Sequence, residues 1–437
     1  MPAQTTEAAR AEEFIFDWNE QGRKGRLVPQ SFTLFDETLR DGLQNPSVKD
    51  PPIDDKLRIL HLMEDLGIEL ADVGLPGSSA RAFEDVLAIC REVVDCKMKI
   101  KLAVAGRTVV SDITPMVEIS QRAGIPLEVY AFIGSSPIRQ YVEQWDVALI
   151  AKRSAEAIDV GVKAGLAVTY VTEDTTRSRP EVLSTLFRAA IDHGATRLCL
   201  SDTVGHATPD GVRNLVQFTR SVVAGTGAAD IGIDWHGHND RGFALENAIW
   251  ALEFGADRVH ATALGIGERV GNAAMELLLM NLRLLGQLPP SRDLTKLVAY
   301  CDAVARAVDW QMPPNYPLVG RDAFRTATGV HAAAIVKALQ KGDAWLADRV
   351  YSGVPAGMFG RHQEICIGFM SGASNVGFWL RQRGIEPSED LVAEILRAAK
   401  ATSHILGDDE VLDVVHRVRG PGCAALTGTL ASGTLPV

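Results

Sequence analysis

The sequence predicts an α/β protein, a (β/α)8 TIM barrel followed by a mainly helical C-terminal subdomain. Eight short β-rich runs alternate with helical stretches from Ser31 onward, and they fill about 250 residues, the usual length of such a barrel. Pro289 and Pro290 end the repeat, and a further helical region follows. An open doubly wound sheet is the main alternative, because it also alternates strands with helices.

The predicted strands are short apolar runs, and the predicted helices carry apolar residues at helical spacing. The strands are expected at 32–35, 69–73, 99–104, 127–133, 166–171, 196–200, 230–235 and 257–262. Helices between and after them are expected at, for example, 54–66, 111–123, 145–164, 180–192, 209–224, 243–254 and 272–286. The catalytic domain is therefore assigned to residues 31–290.

The regions on either side of the barrel have a different composition. Residues 1–30 are polar and irregular, and we predict an N-terminal arm. Residues 291–420 are predicted to form a linker and a helical subdomain, which begins with a helix at 293–310 and is interrupted by a glycine-rich stretch at 353–375. Residues 421–437 are small and turn-rich and are predicted to be a flexible tail.

Composition excludes several classes of partner. The formal net charge is −11 and no basic stripe is visible, which argues against nucleic acid or an anionic membrane as the main partner. No apolar run approaches the ~20 residues that span a bilayer. The six cysteines are scattered without a C-x-x-C pair, as expected of reduced thiols. We therefore expect a cytoplasmic protein that acts on small molecules.

Three of the predicted strands end in markedly polar segments. Strand one runs into residues 36–42, strand seven into 236–240 and strand eight into 265–272. In a barrel, functional residues lie where the strands run out into the following loops. Closing the barrel places strand one beside strand eight, and strand eight beside strand seven. The three polar strand ends are therefore predicted to form one sector of the barrel mouth.

This sector contains the residue types that bind a divalent metal. His236 and His238 are two residues apart, so an extended segment points both imidazoles to the same face. Asp41 can add a carboxylate oxygen and Asn272 an amide oxygen. Such a set suits magnesium, manganese or zinc and leaves coordination positions for a chelating substrate. The alternative is a pair of core histidines with ordinary hydrogen-bond partners.

Two further features of the sector have alternative interpretations. Arg40 adjoins Asp41 and could stabilise an enolate or oxyanion beside the metal, or it could form a salt bridge with Glu37 or another acid. The glycines of residues 265–271 resemble a dinucleotide fingerprint, but the third glycine is one residue late and the loop follows the eighth strand. We expect this loop to approach a ligand closely rather than to bind NAD.

Four motifs, taken in order, resemble a known family. They are DETLRDGLQ at 36–44, LSDTVG at 200–205, HGHND at 236–240 and GIGERVGN at 265–272. They are similar to those of the metal-dependent Claisen-type enzymes, the superfamily of isopropylmalate synthase, homocitrate synthase and HMG-CoA lyase. The resemblance extends over about residues 31–376.

The resemblance implies an acyltransferase reaction. An acyl-CoA, usually acetyl-CoA, loses a methyl proton and attacks the carbonyl of a 2-oxo acid, and thioester hydrolysis then leaves a 2-hydroxy diacid of the homocitrate or isopropylmalate kind. By resemblance Asp41, His236 and His238 are the metal ligands and Asn272 is a weaker or more distant one. Arg40 matches the family's catalytic arginine.

The resemblance also implies residues that bind substrate. Glu173 and Thr203 match positions that line the oxo-acid pocket, and Gln44, at the end of the first motif, is assigned with them. Residues 135–141 resemble the homocitrate synthase segment whose arginine meets a dicarboxylic oxo acid. Arg139 could therefore pair with a second anionic group, or it could be an ordinary surface arginine.

The choice between synthase and lyase depends on short segments. Residues 41–45 look like the lyase form of the first motif, whereas Gly267-Glu268-Arg269 reads as in synthases. Residues 328–332 resemble the synthase segment that supplies a catalytic histidine to the neighbouring subunit. This implies His331 as base or proton relay, together with Tyr351, in a homodimer with exchanged C-terminal subdomains.

Several alternatives remain open at the sequence level. His331 and Tyr351 could be ordinary linker or interface residues. Residues 102–107 align poorly with the family, and residues 368–372 read GFMSG in place of a usual GKHSG, so the oxo acid is not defined. The other functions are a lyase-like carbon–carbon cleavage at the same metal and a non-catalytic barrel. A scaffold has no need for a complete ligand set, which disfavours the last.

Overall fold

The fold is a closed barrel of eight parallel strands. The computed structural model describes residues 7–21, 31–228 and 230–420. The barrel strands are β1 (Thr33–Asp36), β2 (Leu70–Asp72), β3 (Lys101–Arg107), β4 (Glu128–Gly134), β5 (Ala167–Glu173), β6 (Arg197–Asp202), β7 (Gly232–Gly237) and β8 (Arg258–Ala261). They follow one another in chain order around the barrel. The predicted (β/α)8 architecture is confirmed, and the open sheet is excluded.

Closure occurs where β1 pairs with β8. Phe35 is in register with Leu70 on one side and with His260 on the other. Inside the barrel, Phe35, Leu70, Tyr130 and Cys199 belong to a small buried cluster, separate from the large one that joins strands to helices. The interior is therefore packed with side chains, as in other barrels of this kind.

Helices precede, surround and follow the strands. The helices up to the end of the barrel are α1 (Glu7–Phe14), α2 (Ile53–Asp65), α3 (Ala80–Asp95), α4 (Val110–Ala123), α5 (Pro137–Glu143), α6 (Val147–Lys163), α7 (Pro180–Asp192), α8 (Pro209–Ala224), α9 (Ala244–Glu253) and α10 (Met275–Leu284). Those after it are α11 (Leu297–Ala307), α12 (Gly329–Gln340), α13 (Ala344–Ala347), α14 (Ala373–Gln382), α15 (Glu389–Lys400) and α16 (Asp408–Arg419).

Helix α3 illustrates why these segments are helical. The Ser79 hydroxyl accepts a hydrogen bond from the backbone N–H of Ala82 and caps the first turn. Val86, Ile89 and Val93 recur at helical spacing and are buried in the large core cluster. Burial of each such side chain contributes roughly 1.5–3 kcal/mol. The helix therefore forms because its apolar face covers the barrel.

The N-terminal prediction is partly wrong. Residues 7–14 form helix α1 instead of an irregular arm, and a 3-10 turn follows at Trp18–Glu20. Arg10 of α1 forms an ion pair with Asp343 and lies 4.9 Å from the centre of the Trp345 ring. These tertiary contacts stabilise a segment whose own pattern is weak. The rest of the predicted arm, at 1–6 and 22–30, lies outside the described residues.

The C-terminal region contains helices and one small sheet. Helix α11 is shorter than the expected 293–310, and β9 (Arg325–Thr326) pairs with β10 (Glu364–Ile365), a sheet that the sequence pattern did not predict. The predicted tail at 421–437 lies outside the described residues. Among the helices described, none has the length and apolarity needed to cross a membrane.

Candidate active site

The two histidines of the HGHND segment lie at the end of β7 and point into the barrel mouth. Both are buried, with 8% of His236 and 4% of His238 exposed. The Nε2 atoms of the two imidazoles are 3.1 Å apart. Because Gly237 separates them on an extended segment, both rings lie on one face, as the spacing predicts.

Asp41 and Asn272 complete the same centre from the ends of β1 and β8, which pair with each other. Asp41 lies in the turn after β1, and its Oδ2 is 3.6 Å from His238 Nε2. The Asn272 side-chain amide donates a hydrogen bond to Asp41 Oδ2, and its backbone bridges to that of His238. The structure thus brings together all four residues that the sequence analysis grouped as ligands.

The chemistry of this centre fits a divalent cation. One ligand atom from each of Asp41, His236 and His238 lies within 4.8 Å of the others. The Asn272 Oδ1 atom is buried and has no hydrogen-bond partner among the described residues. Two imidazole nitrogens that face each other need a proton or a cation between them, since their lone pairs repel. A bound ion would satisfy the nitrogens, the carboxylate and the free amide oxygen together.

Two glycines give the loop after β8 its close approach to the centre. A Cβ at position 267 would lie 2.5 Å from the Asn272 amide nitrogen and 3.3 Å from Asp41 Oδ2. Gly271 has a φ of 87°, and a Cβ there would overlap the Gly265 carbonyl oxygen. The loop therefore presses its backbone against the predicted ligands, and side chains at these positions would displace them.

Arg40 lies among carboxylates at the edge of the centre. Its Nε donates to Asp72 Oδ2 at 2.9 Å, and its Nη1 donates to Asp41 Oδ1 at 3.1 Å and to Gln44 Oε1 at 3.3 Å. Its Nη2 donates to Glu37. The salt bridge considered as an alternative thus exists, and it holds the guanidinium beside Asp41.

Asp72 is a site residue that the sequence analysis missed. It is the last residue of β2 and is fully buried beneath Arg40. Burial raises the pKa of this carboxyl to about 7, even though the neighbouring Arg40 acts in the opposite direction. The rule that identified the other strand ends applies equally to β2 and would have found it.

Glu37 was considered only as a partner of Arg40, but it also contacts a predicted ligand. Its Oε2 is 2.5 Å from His236 Nδ1. Burial opposes its ionisation, but Arg40 and His236 together hold the pKa of Glu37 well below its usual range. An ionised Glu37 makes His236 carry its proton on Nδ1, which leaves the Nε2 lone pair facing the centre.

The predicted substrate residues lie on neighbouring strand ends. Glu173 ends β5, and burial raises its pKa. Thr203 follows β6, and its hydroxyl accepts from the backbone N–H of Asp174 at 2.8 Å. Arg139, in the first turn of α5, lies with its Nη2 3.2 Å from Glu143 and 3.8 Å from Glu173.

Arg269 joins three of the mouth loops, a role that the sequence analysis did not assign. Its Nη2 donates to the Thr203 carbonyl oxygen at 2.5 Å. Its guanidinium also forms two hydrogen bonds to Asp240, at 2.9 and 3.0 Å. The loops after β6, β7 and β8 are therefore fixed relative to one another. The sequence analysis used this arginine only as part of the synthase-like Gly-Glu-Arg segment.

His331 and Tyr351 lie together in the C-terminal region. Their rings stack with centroids 4.0 Å apart and an angle of 24°. Both side chains are exposed, and His331 is on α12. Among the described residues, no recorded hydrogen bond, ion pair or ring contact joins this pair to the centre formed by Asp41, His236 and His238.

The fold and the centre define a class of protein. A closed β/α barrel with buried histidine, carboxylate and amide side chains converging at the carboxyl ends of its strands is typical of metal-binding barrel enzymes.

The chain belongs to the HMGL-like family, whose sequence profile matches residues 31–304. It is 30% identical over 374 residues to a probable 2-isopropylmalate synthase of Methanopyrus kandleri, covering 85% of this chain and 70% of that one. It is 31% identical over 385 residues to homocitrate synthase AksA of the same organism, covering 88% and 90%. The predicted resemblance and the prediction of an acyltransferase-type enzyme are confirmed.

Solved structures support the fold. An HMG-CoA lyase from Bacillus subtilis superposes with a TM-score of 0.53 at 21% identity, over 64% of this chain and 94% of that one. An HMG-CoA lyase from Pseudomonas aeruginosa gives 0.54 at 20% identity, with the same coverage.

Proposed function

We propose that the protein condenses an acyl-CoA, in the first instance acetyl-CoA, with a 2-oxo acid and hydrolyses the thioester to give a 2-hydroxy diacid, or a triacid where the 2-oxo acid is itself dicarboxylic. The observation that carries the proposal is the convergence of Asp41, His236, His238 and Asn272 in one buried centre at the barrel mouth. Support comes from relatives named 2-isopropylmalate synthase and homocitrate synthase, which match 85% or more of the chain.

The centre is proposed to hold magnesium, manganese or zinc through Asp41, His236 and His238, with Asn272 at its edge. When bound, such an ion would supply Lewis acidity and a chelation site for the carboxylate and carbonyl oxygens of the 2-oxo acid. Glu37 keeps His236 in the tautomer that this requires. Gly267 and Gly271, in the loop after β8, keep side chains out of the same space.

Arg40 is proposed to stabilise negative charge that develops during the condensation. Its neighbouring carboxylates, Glu37, Asp41 and Asp72, keep it cationic despite burial and raise its pKa further. Its Nη1 lies next to the proposed ligand Asp41, so its charge is fixed before substrate binds. A preorganised cation of this kind costs no reorganisation when the enolate or alkoxide forms.

The oxo-acid pocket is proposed to lie between the ends of β4, β5 and β6. Glu173 and Thr203 would contact the oxo acid, and Gln44 would contact it from the first motif. Arg139 is suited to receive a second carboxylate, because its side chain is 40% exposed and carries its charge at the end of β4. Among the described residues, its guanidinium pairs with Glu143 and Glu173, at 3.2 and 3.8 Å.

We propose that His331, with Tyr351, serves as base or proton relay for the centre of a partner subunit. A homodimer with exchanged C-terminal subdomains, made of residues 291–420, would bring them there. Support comes from exposed apolar side chains near the pair, on Val330, Phe369 and Met370, and from exposed Val270 in the mouth loop. A dimer would cover these surfaces.

The function is tested by loading the protein with Mg²⁺, Mn²⁺ or Zn²⁺ and measuring thiol release from acetyl-CoA. The panel of acceptors includes pyruvate, 2-oxoisovalerate and 2-oxoglutarate. We expect release with at least one 2-oxo acid and none without an acceptor. If none of these 2-oxo acids led to thiol release, and the protein instead cleaved a 3-hydroxyacyl-CoA, it would be a lyase. Failure of both reactions would favour the non-catalytic barrel.

A further inference from the structure

A column of buried charged side chains continues from the centre into the barrel. Below Glu37 lies His260 of β8, which is 2% exposed. Its Nδ1 is 3.3 Å from Glu37 Oε1, and its Nε2 is 3.3 Å from Asp234 Oδ2. The imidazole thus connects one carboxylate at the mouth with another in the middle of the barrel.

The lower end of the column is firmly anchored. Asp234 accepts hydrogen bonds from Arg197 Nε at 2.7 Å and from the Tyr130 hydroxyl at 2.6 Å, and Arg258 lies at 3.4 Å. The His260 ring also meets Phe35 edge-on, with centroids 4.4 Å apart and an angle of 85°. The hydrogen bond to Asp234 and the packing against Phe35 therefore fix the position and the orientation of the imidazole ring.

Glu37 is the point at which the column meets the centre. One oxygen faces His236 Nδ1, and the other faces both His260 and Arg40. His260 Nε2 forms a hydrogen bond with Asp234, whereas its Nδ1 lies within ion-pair distance of Glu37 without hydrogen-bond geometry. Burial opposes protonation of His260, but Glu37 and Asp234 together raise its pKa.

We propose that His260 is a positioning residue for the metal centre: it holds the Glu37 carboxylate from below, and Glu37 in turn aims His236 Nε2 at the ion. The inference rests on the proposed function in one respect, that Asp41, His236 and His238 bind a metal. Arg40 holds the same Glu37 oxygen from the mouth through its Nη2, and its other donors go to Asp41, Asp72 and Gln44, so His260 is the contact that reaches Glu37 from inside the barrel.

The test measures Mn²⁺ affinity by calorimetry in a Cys96→Ser background. This background removes one donor of the exposed His61–Glu92–Cys96 group, which could otherwise bind the ion as well. We expect Glu37→Gln to weaken binding about 10- to 100-fold, as is usual for groups that orient ligands, and His260→Asn to weaken it about 3- to 10-fold. Since His260 acts through Glu37, the double variant should bind no more weakly than Glu37→Gln alone.

A spectroscopic readout separates positioning from general damage. The visible spectrum of the Co²⁺-loaded protein should shift in His260→Asn, because the ligand field depends on the orientation of His236. Wild-type affinity and spectrum in this variant, or additive losses in the double variant, would overturn the proposal. A loss as complete as in His238→Ala would make His260 a ligand itself and would overturn the positioning role.

Folding and the proposed function are controlled separately. Thermal unfolding checks each variant, and His260→Gln serves if His260→Asn does not fold. Glu37→Asp keeps the charge but withdraws the carboxylate, so wild-type Mn²⁺ affinity in that variant would contradict the proposal even without a folded His260 variant. If the wild-type protein bound no Mn²⁺, the proposed metal centre itself would fail. If His238→Ala lost Mn²⁺ binding while the Glu37 and His260 variants kept wild-type affinity, the metal centre would stand and only the positioning role of His260 would fail.

Discussion

The centre at the barrel mouth and the His331–Tyr351 pair are built in opposite ways. Each side chain of the first is buried and contacts several others from three adjacent strands. The second consists of two exposed side chains that stack on each other. A centre that one chain completes has its geometry set by the barrel. The exposed pair leaves part of its side-chain surface accessible to solvent, and a second protein surface can cover it.

The largest expected effect is on the first region. His238→Ala removes one of the four predicted metal ligands, and we expect kcat to fall about 1,000-fold or more, because metal assistance contributes several kcal/mol. Metal affinity, measured by calorimetry, should fall with it, while far-UV circular dichroism stays unchanged. Full activity in a folded His238→Ala variant would contradict the assignment of the centre.

The second prediction concerns the exposed pair. His331→Ala should lower kcat about 100-fold, the lower range for loss of a general acid–base group, and should leave metal affinity unchanged. Tyr351→Phe is the matched variant, which keeps the stacked ring.

Mixing the variants tests the subunit exchange directly. His331→Ala and His238→Ala protomers, unfolded and refolded together, should show more activity than either variant alone, because one mixed site then carries both intact residues. Complementation that never appears, although an affinity tag on one variant co-purifies the other, would place His331 in its own subunit's site or outside catalysis.

Arg139 should affect specificity more than rate. Arg139→Ala should lower kcat/KM for dicarboxylic 2-oxo acids by about 10- to 100-fold, the equivalent of one lost hydrogen bond between charged groups. Monocarboxylic acceptors should be affected much less. Arg122→Ala, exposed in the last turn of α4 and so at the opposite end of the barrel, provides a control arginine. Equal losses for both acceptor classes would make Arg139 a structural residue.

The smallest effect concerns the stability of the strand that carries the centre. Asp36 is fully buried and accepts hydrogen bonds from Tyr300 and from the Thr38 backbone, and burial raises its pKa from 3.8 to about 6. Between these values the unfolded chain releases the proton and the folded chain keeps it, so this group destabilises the fold as pH rises from about 4 to about 6. Measured by urea unfolding, the free energy of unfolding should fall less steeply between about pH 4 and about pH 6 in Asp36→Asn than in the wild type. Parallel curves would contradict the shift.

Most of the barrel and the grouping of the ligands could be predicted from the sequence. Strand positions follow from short apolar runs, and barrel closure alone brings Asp41, His238 and Asn272 together. The contacts of Glu37, by contrast, join residues 199 positions apart in the chain. Helix α1 depends on Asp343 and Trp345, more than 300 residues away. No local pattern encodes such pairs, so they need the folded structure.

The seam between β1 and β8 gives the centre a further consequence. Asp41 follows the first strand, Asn272 follows the last, and the backbone pairing of those strands closes the barrel. An ion held by these groups would link the two strands that close the barrel. It could bind only after the chain has been synthesised as far as the loop after β8. The stability gained would be RT ln(1 + [M]/Kd), where [M] is the free ion concentration. The free ion concentration would then set the stability of the closed barrel as well as the rate of substrate turnover.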